Sequence, residues 1–217
     1  MTITKVWIKL MKHEWKKQEK EFYAPKQVPQ KVILPSFKFF TIAGEGNPNN
    51  AFFSDYIAVL YSLAYAVKMS PKQNKQPEGY FDYTVYPLEG VWDLIDKSKY
   101  NPEDRIDKDN LKFTLMIRQP SFVSDTFARE IIEMTKEKKP SYLLDNVLFD
   151  TIEEGACVQM LHIGSYDDKP ASFGKMEAYC TENNLQRKSK MHREIYLSDA
   201  RKTTPQKLKT ILRFQIL

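Results

Sequence analysis

Residues 190–197 read Lys190-Met191-His192-Arg193-Glu194-Ile195-Tyr196-Leu197. The pattern predicts a β-strand with an acid at its middle. Side chains alternate faces along a strand. Arg193, Ile195 and Leu197 therefore share one face, and His192, Glu194 and Tyr196 the other. With Ile195 and Leu197 turned to the core, Glu194 stands between an imidazole and a phenol, on what reads as the wall of a ligand cleft.

Outward from this strand, one order of elements occurs twice. Val32 to Gly46 reads as a strand region, and Asn47-Pro48-Asn49-Asn50 offers helix N-caps. A helix follows with Phe53, Tyr56, Ile57, Leu60, Leu63, Ala64 and Val67 at helical spacing. Strands are then expected over Tyr80–Tyr86 and Leu111–Arg118. In the second half, Asn146–Ile163 is strand-rich, and a helix carries Phe173, Met176, Ala178, Tyr179 and Cys180. The Glu194 strand and a last strand, Leu208–Leu217, complete it. A bridge helix over 124–138, capped by Ser124 and closed by Pro140, joins the halves.

The expected fold is α+β: two split βαββ units, about 31–120 and 145–217, related by a pseudo-twofold around a central ligand cleft. Leu111–Leu115 aligns with Leu208–Leu212, and Val85-Tyr86 with Ile195-Tyr196. In that register Thr84 takes the place of Glu194, so only one half carries the acid. Helices are expected over Phe113, Leu115, Ile117, Ile195, Leu197, Leu212 and Phe214. The cleft face would carry Asp82, Thr84, Tyr86, Thr114, Met116, Arg118, His192, Glu194, Tyr196 and Arg213. Residues 1–30 read as a basic N-terminal extension, an amphipathic arm on the domain of 31–217. In it Trp7, Leu10, Met11 and Trp15 form one face of a helix that Pro25 and Pro29 end.

Composition excludes several functions. The net charge is +5, but no Lys/Arg run interleaves with aromatics, so no nucleic-acid partner is expected. Only 7 glycines are present, which argues against a glycine-rich phosphate loop. Cys157 and Cys180 lack CxxC spacing, and the 3 histidines lack ligand spacing, so neither a metal nor a cofactor is expected. No GxSxG elbow occurs. No apolar run approaches the ~20 residues that span a membrane, and no cleavable leader is read. The expected setting is cytoplasmic, with thiols reduced. A homodimer stays open.

Four stretches carry a resemblance: Asp82–Trp92 with its PLEGVW core, Leu111–Val123, Gly155–Asp168 and His192–Leu212. They resemble the GyrI-like small-molecule-binding family, related to the effector domains of AraC-type and BmrR-type multidrug regulators. The resemblance runs from about Val32 to Leu217 and implies paired split βαββ units around a cleft. It also implies that a glutamate at the position of Glu194 meets cationic or planar aromatic ligands. Standalone relatives with PLEG-x-W and HIG-x-Y patterns include hydrolases of cyclopropanoid DNA-alkylating compounds. Pro87, Leu88, Glu89, Gly90, Trp92, His162, Gly164 and Tyr166 keep those patterns; Asp93 and Ser165 depart from them.

Opening a cyclopropane conjugated to a dienone requires a base for water, a donor to the developing oxyanion and a flat apolar cradle. Glu194 is the first candidate base, and Glu89 is the second or a partner carboxylate. Tyr86, Tyr196 and His162 are candidate donors, and Trp92, Tyr86 and Met116 candidate stacking groups. Tyr166 and Tyr179 complete the candidate ligand-binding set, with packing as their competing role. A planar aromatic small molecule is the expected partner. Binding without turnover, as a drug-sequestering or ligand-sensing protein, is the alternative.

Overall fold

Pairing at the sheet centre sets the architecture of the computed structural model, which describes residues 12–99 and 107–217. In chain order come helices α1 (Trp15–Gln18) and α2 (Lys20–Tyr23), strands β1 (Gln30–Leu34) and β2 (Phe37–Glu45), and helix α3 (Phe52–Met69). Strands β3 (Leu88–Leu94) and β4 (Leu111–Gln119) and helix α4 (Asp125–Lys138) follow. The second half holds β5 (Leu148–Ile152), β6 (Gly155–Ile163), α5 (Lys169–Glu182), β7 (His192–Tyr196) and β8 (Lys209–Gln215). Among the described residues, the eight strands form one sheet in the order β1-β6-β8-β7-β3-β4-β2-β5. All neighbours in it run antiparallel. Exchanging β1 with β5, β2 with β6, β3 with β7 and β4 with β8 reverses that order onto itself. The two halves are thus related by a pseudo-twofold between β3 and β7, as expected for duplicated split βαββ units.

Each unit carries one strand more than expected. Pro35 splits the first strand region into β1 and β2, because it has no N–H to give a ladder. β1 pairs with β6 of the other half, and β5 pairs with β2 of the first. The halves are therefore interlocked at both sheet edges as well as joined at the centre.

Two sequence expectations fail near the middle of the chain. Tyr80–Tyr86 forms no strand beyond one isolated bridge between His13 and Tyr83. The partner of β7 is β3, built from PLEGVW itself, and Gly90 lies directly beside Glu194. Thr84 is therefore not the counterpart of Glu194. Aromatic alternation in 80–86 reflects packing instead: Tyr83 and Tyr86 are buried in the main core, and Phe81 packs against it. At the start of α3, the N-cap is Ala51 with no side-chain cap; Asn47 accepts from the Asn49 N–H within the preceding turn. Ser124 caps α4 as expected, accepting from Phe127 N at 3.1 Å.

Helices α3 and α5 lie on one sheet face. Leu60, Leu63 and Val67 of α3 pack with Phe113, Leu115 and Ile117, and Met176 and Cys180 of α5 pack with Val158, Met160, Leu212 and Phe214. The expectation for β4 and β8 holds, but that for β7 is inverted. Glu194 pairs beside Gly90 and Leu212 and so faces the helices, while Ile195 and Arg193 face away. The reason is a second cover on the far face, formed by residues 12–30. Trp15 and Tyr23 are buried there, and Phe22 packs with Val32, Leu34 and Cys157. Burying one such ring contributes about 1.5–3 kcal/mol. Ile195 thus finds apolar cover without α3 or α5. In the predicted N-terminal helix, Trp7, Leu10 and Met11 lie outside the described residues, and Trp15 opens a four-residue helix.

Candidate functional site

The centre of the helix-bearing face is the β3–β7 pair, flanked by α3 over β2 and β4 and by α5 over β6. Between these helices lies the strip of sheet over β3 and β7, the central groove of the duplicated units, with Glu194 buried at its middle. Alternation on β7 brings His192, Glu194 and Tyr196 into it, and alternation on β3 brings Leu88, Gly90 and Trp92. Gly90 is required here. A Cβ at this position would meet Trp92 Nε1 at 2.9 Å, Leu115 Cδ2 at 3.2 Å and Tyr196 Oη at 3.4 Å.

Glu194 is 3% exposed and fully engaged. Lys169 Nζ donates to both of its oxygens at 2.6 Å, and Tyr196 Oη donates to Oε2 at 2.9 Å. His192 Nε2 lies 3.2 Å from Oε1. Burial alone would push this carboxyl up. The Lys169 ammonium, then His192, override burial and hold its pKa at about 2. Glu194 is thus an anion across the physiological range. Burial and the neighbouring Glu194 charge push the Tyr196 phenol well above its usual value. Tyr196 therefore stays a neutral donor.

Aromatic groups frame the carboxylate. Trp92 Nε1 donates to Tyr196 Oη at 2.9 Å, which continues the chain from Glu194. Tyr166 meets Tyr196 edge to face with ring centroids 5.9 Å apart, and Phe173 meets His192 at 4.7 Å. On the α3 side, Phe53 lies 5.9 Å from Trp92. Such a frame suits a flat organic ring.

The other candidates fall into separate places. His162 faces the helices but is buried, with Nδ1 2.9 Å from Ser172 Oγ and Nε2 2.9 Å from the Ser165 carbonyl. Both ring nitrogens are used within the protein. Tyr179 packs against the α5 core cluster. Glu89, Tyr86 and Met116 lie away from the groove. Met116 and Glu89 stand side by side on the far face of β4 and β3, and Tyr86 joins the aromatic cluster of Trp15 and Tyr23.

On that far face lies a buried ionic ladder. Arg193 Nη1 donates to Glu89 at 2.8 Å, and its Nε lies 3.0 Å from Glu154 without hydrogen-bond alignment. Arg213 donates to Glu154 at 3.0 Å and to Gln159. Tyr23 Oη lies 3.3 Å from Glu89, and Arg118 pairs with Glu19. Three arginines thus balance three glutamates: Arg118, Arg193 and Arg213 against Glu19, Glu89 and Glu154. Tyr23 and Glu19 come from the N-terminal cover, so this segment completes the ladder. Glu89, 1% exposed, is locked here by Arg193.

Sequence reasoning missed Lys169, although a signal existed. A lysine in the first turn of a helix opposes the helix dipole, so its place there calls for an acidic partner. Arg193 on a buried strand face called for one too. Among the described residues, no group of three or more His, Cys, Asp or Glu is arranged to hold a metal ion. No helix among them is long and apolar enough to cross a membrane.

Comparison with known proteins accords with this geometry. The model of the GyrI-like small molecule binding domain matches residues 27–217. A crystal structure of a hydrolase from Listeria innocua is 34% identical, with a TM-score of 0.85, covering 95% of this chain and 100% of that one. An uncharacterized conserved protein from Listeria innocua is 35% identical over the same shares, with a TM-score of 0.86. The C-terminal domain of EcmrR, 12% identical, shares the fold with a TM-score of 0.53, covering 87% of this chain and 96% of that one. No curated protein sequence matches.

Proposed function

Because the chain belongs to the family of GyrI-like small-molecule-binding domains, we propose that its central groove takes a flat aromatic molecule over Glu194. We further propose that it hydrolyses cyclopropanoid compounds of the duocarmycin and yatakemycin type. One observation carries the reading: a buried carboxylate in the sheet floor, framed by Tyr196, Trp92 and Tyr166 between two helices. Likeness to a Listeria innocua structure described as a hydrolase supports turnover.

In this reaction water forms a bond to the cyclopropane methylene. The ring C–C bond breaks, and its electron pair moves into the dienone to make a phenolate. Glu194 takes the water proton, and the phenolate is then protonated, so the product equals substrate plus water. Lys169, already against Glu194, is the cation placed to meet the developing oxyanion. As charge develops on that oxygen, Lys169 shares its ammonium between the oxygen and Glu194, and the carboxylate gains basicity. Glu89 has no proton-transfer part in this scheme; paired with Arg193 on the far face, it holds the central strands in register.

A second reading is binding without turnover. The tight Lys169 pair favours it, because a carboxylate with a pKa of about 2 is a weak base. Mass spectrometry after incubation with a duocarmycin analogue separates the two. A water adduct formed over many turnovers, and lost in Glu194→Gln, supports the hydrolase. Stoichiometric retention of unchanged compound assigns the binder. Failure to take up the compound refutes both.

A further inference from the structure

The groove already contains a cation. Lys169 is the first residue of α5, and its Nζ lies 2.6 Å from both Glu194 oxygens and 4.6 Å from the Tyr166 ring centroid. Its side chain is 15% exposed. The helix dipole disfavours a positive charge at this end, and Pro170 follows, so local helix preference does not explain the residue. Its contacts do: a carboxylate below and an aromatic face beside it form a seat for an ammonium group.

We propose that Lys169 sets ligand charge: the groove selects neutral planar aromatics with a hydrogen-bond acceptor over planar cations. This rests on the groove being the ligand site. The argument is an exchange. A cation reaching Glu194 must displace Lys169, so one carboxylate–cation pair is broken to make another. If Lys169 stays, the cation meets a like charge in a desolvated site, where the repulsion is poorly screened. A neutral ligand leaves the pair intact. An ammonium has three N–H donors. Two go to Glu194, and no other acceptor among the described residues takes the third, which is left for a ligand oxygen or ring nitrogen.

A matched pair of probes isolates charge from shape: acridine, at a pH where it is unprotonated, and N-methylacridinium, a permanent cation. Isothermal titration of the wild-type protein is expected to give affinity for acridine at least about tenfold above that for N-methylacridinium. Lys169→Met should invert the order, with the cation gaining about tenfold or more. Lys169→Arg, which keeps the charge, should retain the wild-type order. Circular dichroism establishes that each variant is folded. Should Lys169→Met fail to fold, the wild-type and Lys169→Arg orders still decide. Wild-type preference for the cation, or an unchanged preference in Lys169→Met, overturns the inference and leaves the groove reading standing. If neither probe binds the wild type, both fall together.

Discussion

Replacing Glu194 with Gln keeps the side-chain shape and removes its charge. In the wild type the carboxyl titrates at about 2 instead of the ordinary 4.5. Its folded pKa is depressed, so its ionisation stabilises the fold above the unfolded value. That stabilisation is lost as pH falls from 4.5 toward about 2. At about 1.36 kcal/mol per unit, the whole effect is about 3 kcal/mol at neutral pH. Lys169 can turn partly to water in the variant, which reduces the measured loss to about 2–3 kcal/mol. Near about pH 3, some 2 kcal/mol of the wild-type advantage has gone, since most of the depressed range lies above that pH. Other acids titrate alike in both proteins and cancel in the difference. Urea denaturation of both proteins at neutral pH and near pH 3 is the assay, with unchanged m-values showing that the same transition is read. A stability gap that does not narrow with acid refutes the coupling of Glu194 to Lys169.

Further predictions concern the two faces around this centre. Arg193→Met leaves Glu89 and Glu154 without their shared counter-charge and should cost about 3–5 kcal/mol, read by the same denaturation. A loss below about 1 kcal/mol would deny the ladder its structural role. Gly90→Ala forces a Cβ to within 2.9 Å of Trp92 Nε1; it should cost about 1–3 kcal/mol and lower affinity for a planar ligand. Burial pushes the Cys157 thiol up to about 12. It should therefore ignore a thiol reagent in the native protein and react after unfolding, and fast native labelling would contradict the burial.

Much of the fold was legible in chain order. Helical stripes, the Ser124 cap and the apolar alternation of Leu111–Arg118 all act locally, and each placed its element. What could not be read was cover supplied from afar. A strand with Ile195 on one face and Glu194 on the other does not say which layer lies on each side. The N-terminal segment, by placing Trp15 and Tyr23 against the far face, reversed the expected assignment for β7 and left β4 and β8 as expected. Pro35 could have signalled the split of the first strand region, but the crossing of β1 to β6 is a long-range choice no local pattern encodes. In the site, Glu194, Tyr196, Trp92 and Tyr166 came together as a group. Tyr86 and Glu89 were separated from it by the strand shift from 80–86 to 88–94. Met116 kept its expected face on β4, and it was Glu194 on the inverted β7 that left that face, since one residue of alternation decides a face.

The central claim is that a flat aromatic ligand lies in the groove between α3 and α5 above Glu194. A crystal structure of the protein with acridine tests it most directly. The account predicts ring density in contact with Trp92, Tyr166 and Tyr196, with the ring nitrogen within hydrogen-bond distance of Lys169. Density instead in the depression of about 360 Å³ lined by Gly44, Asp93, Lys112 and Met191, or on the far face beneath Trp15 and Tyr23, would contradict it.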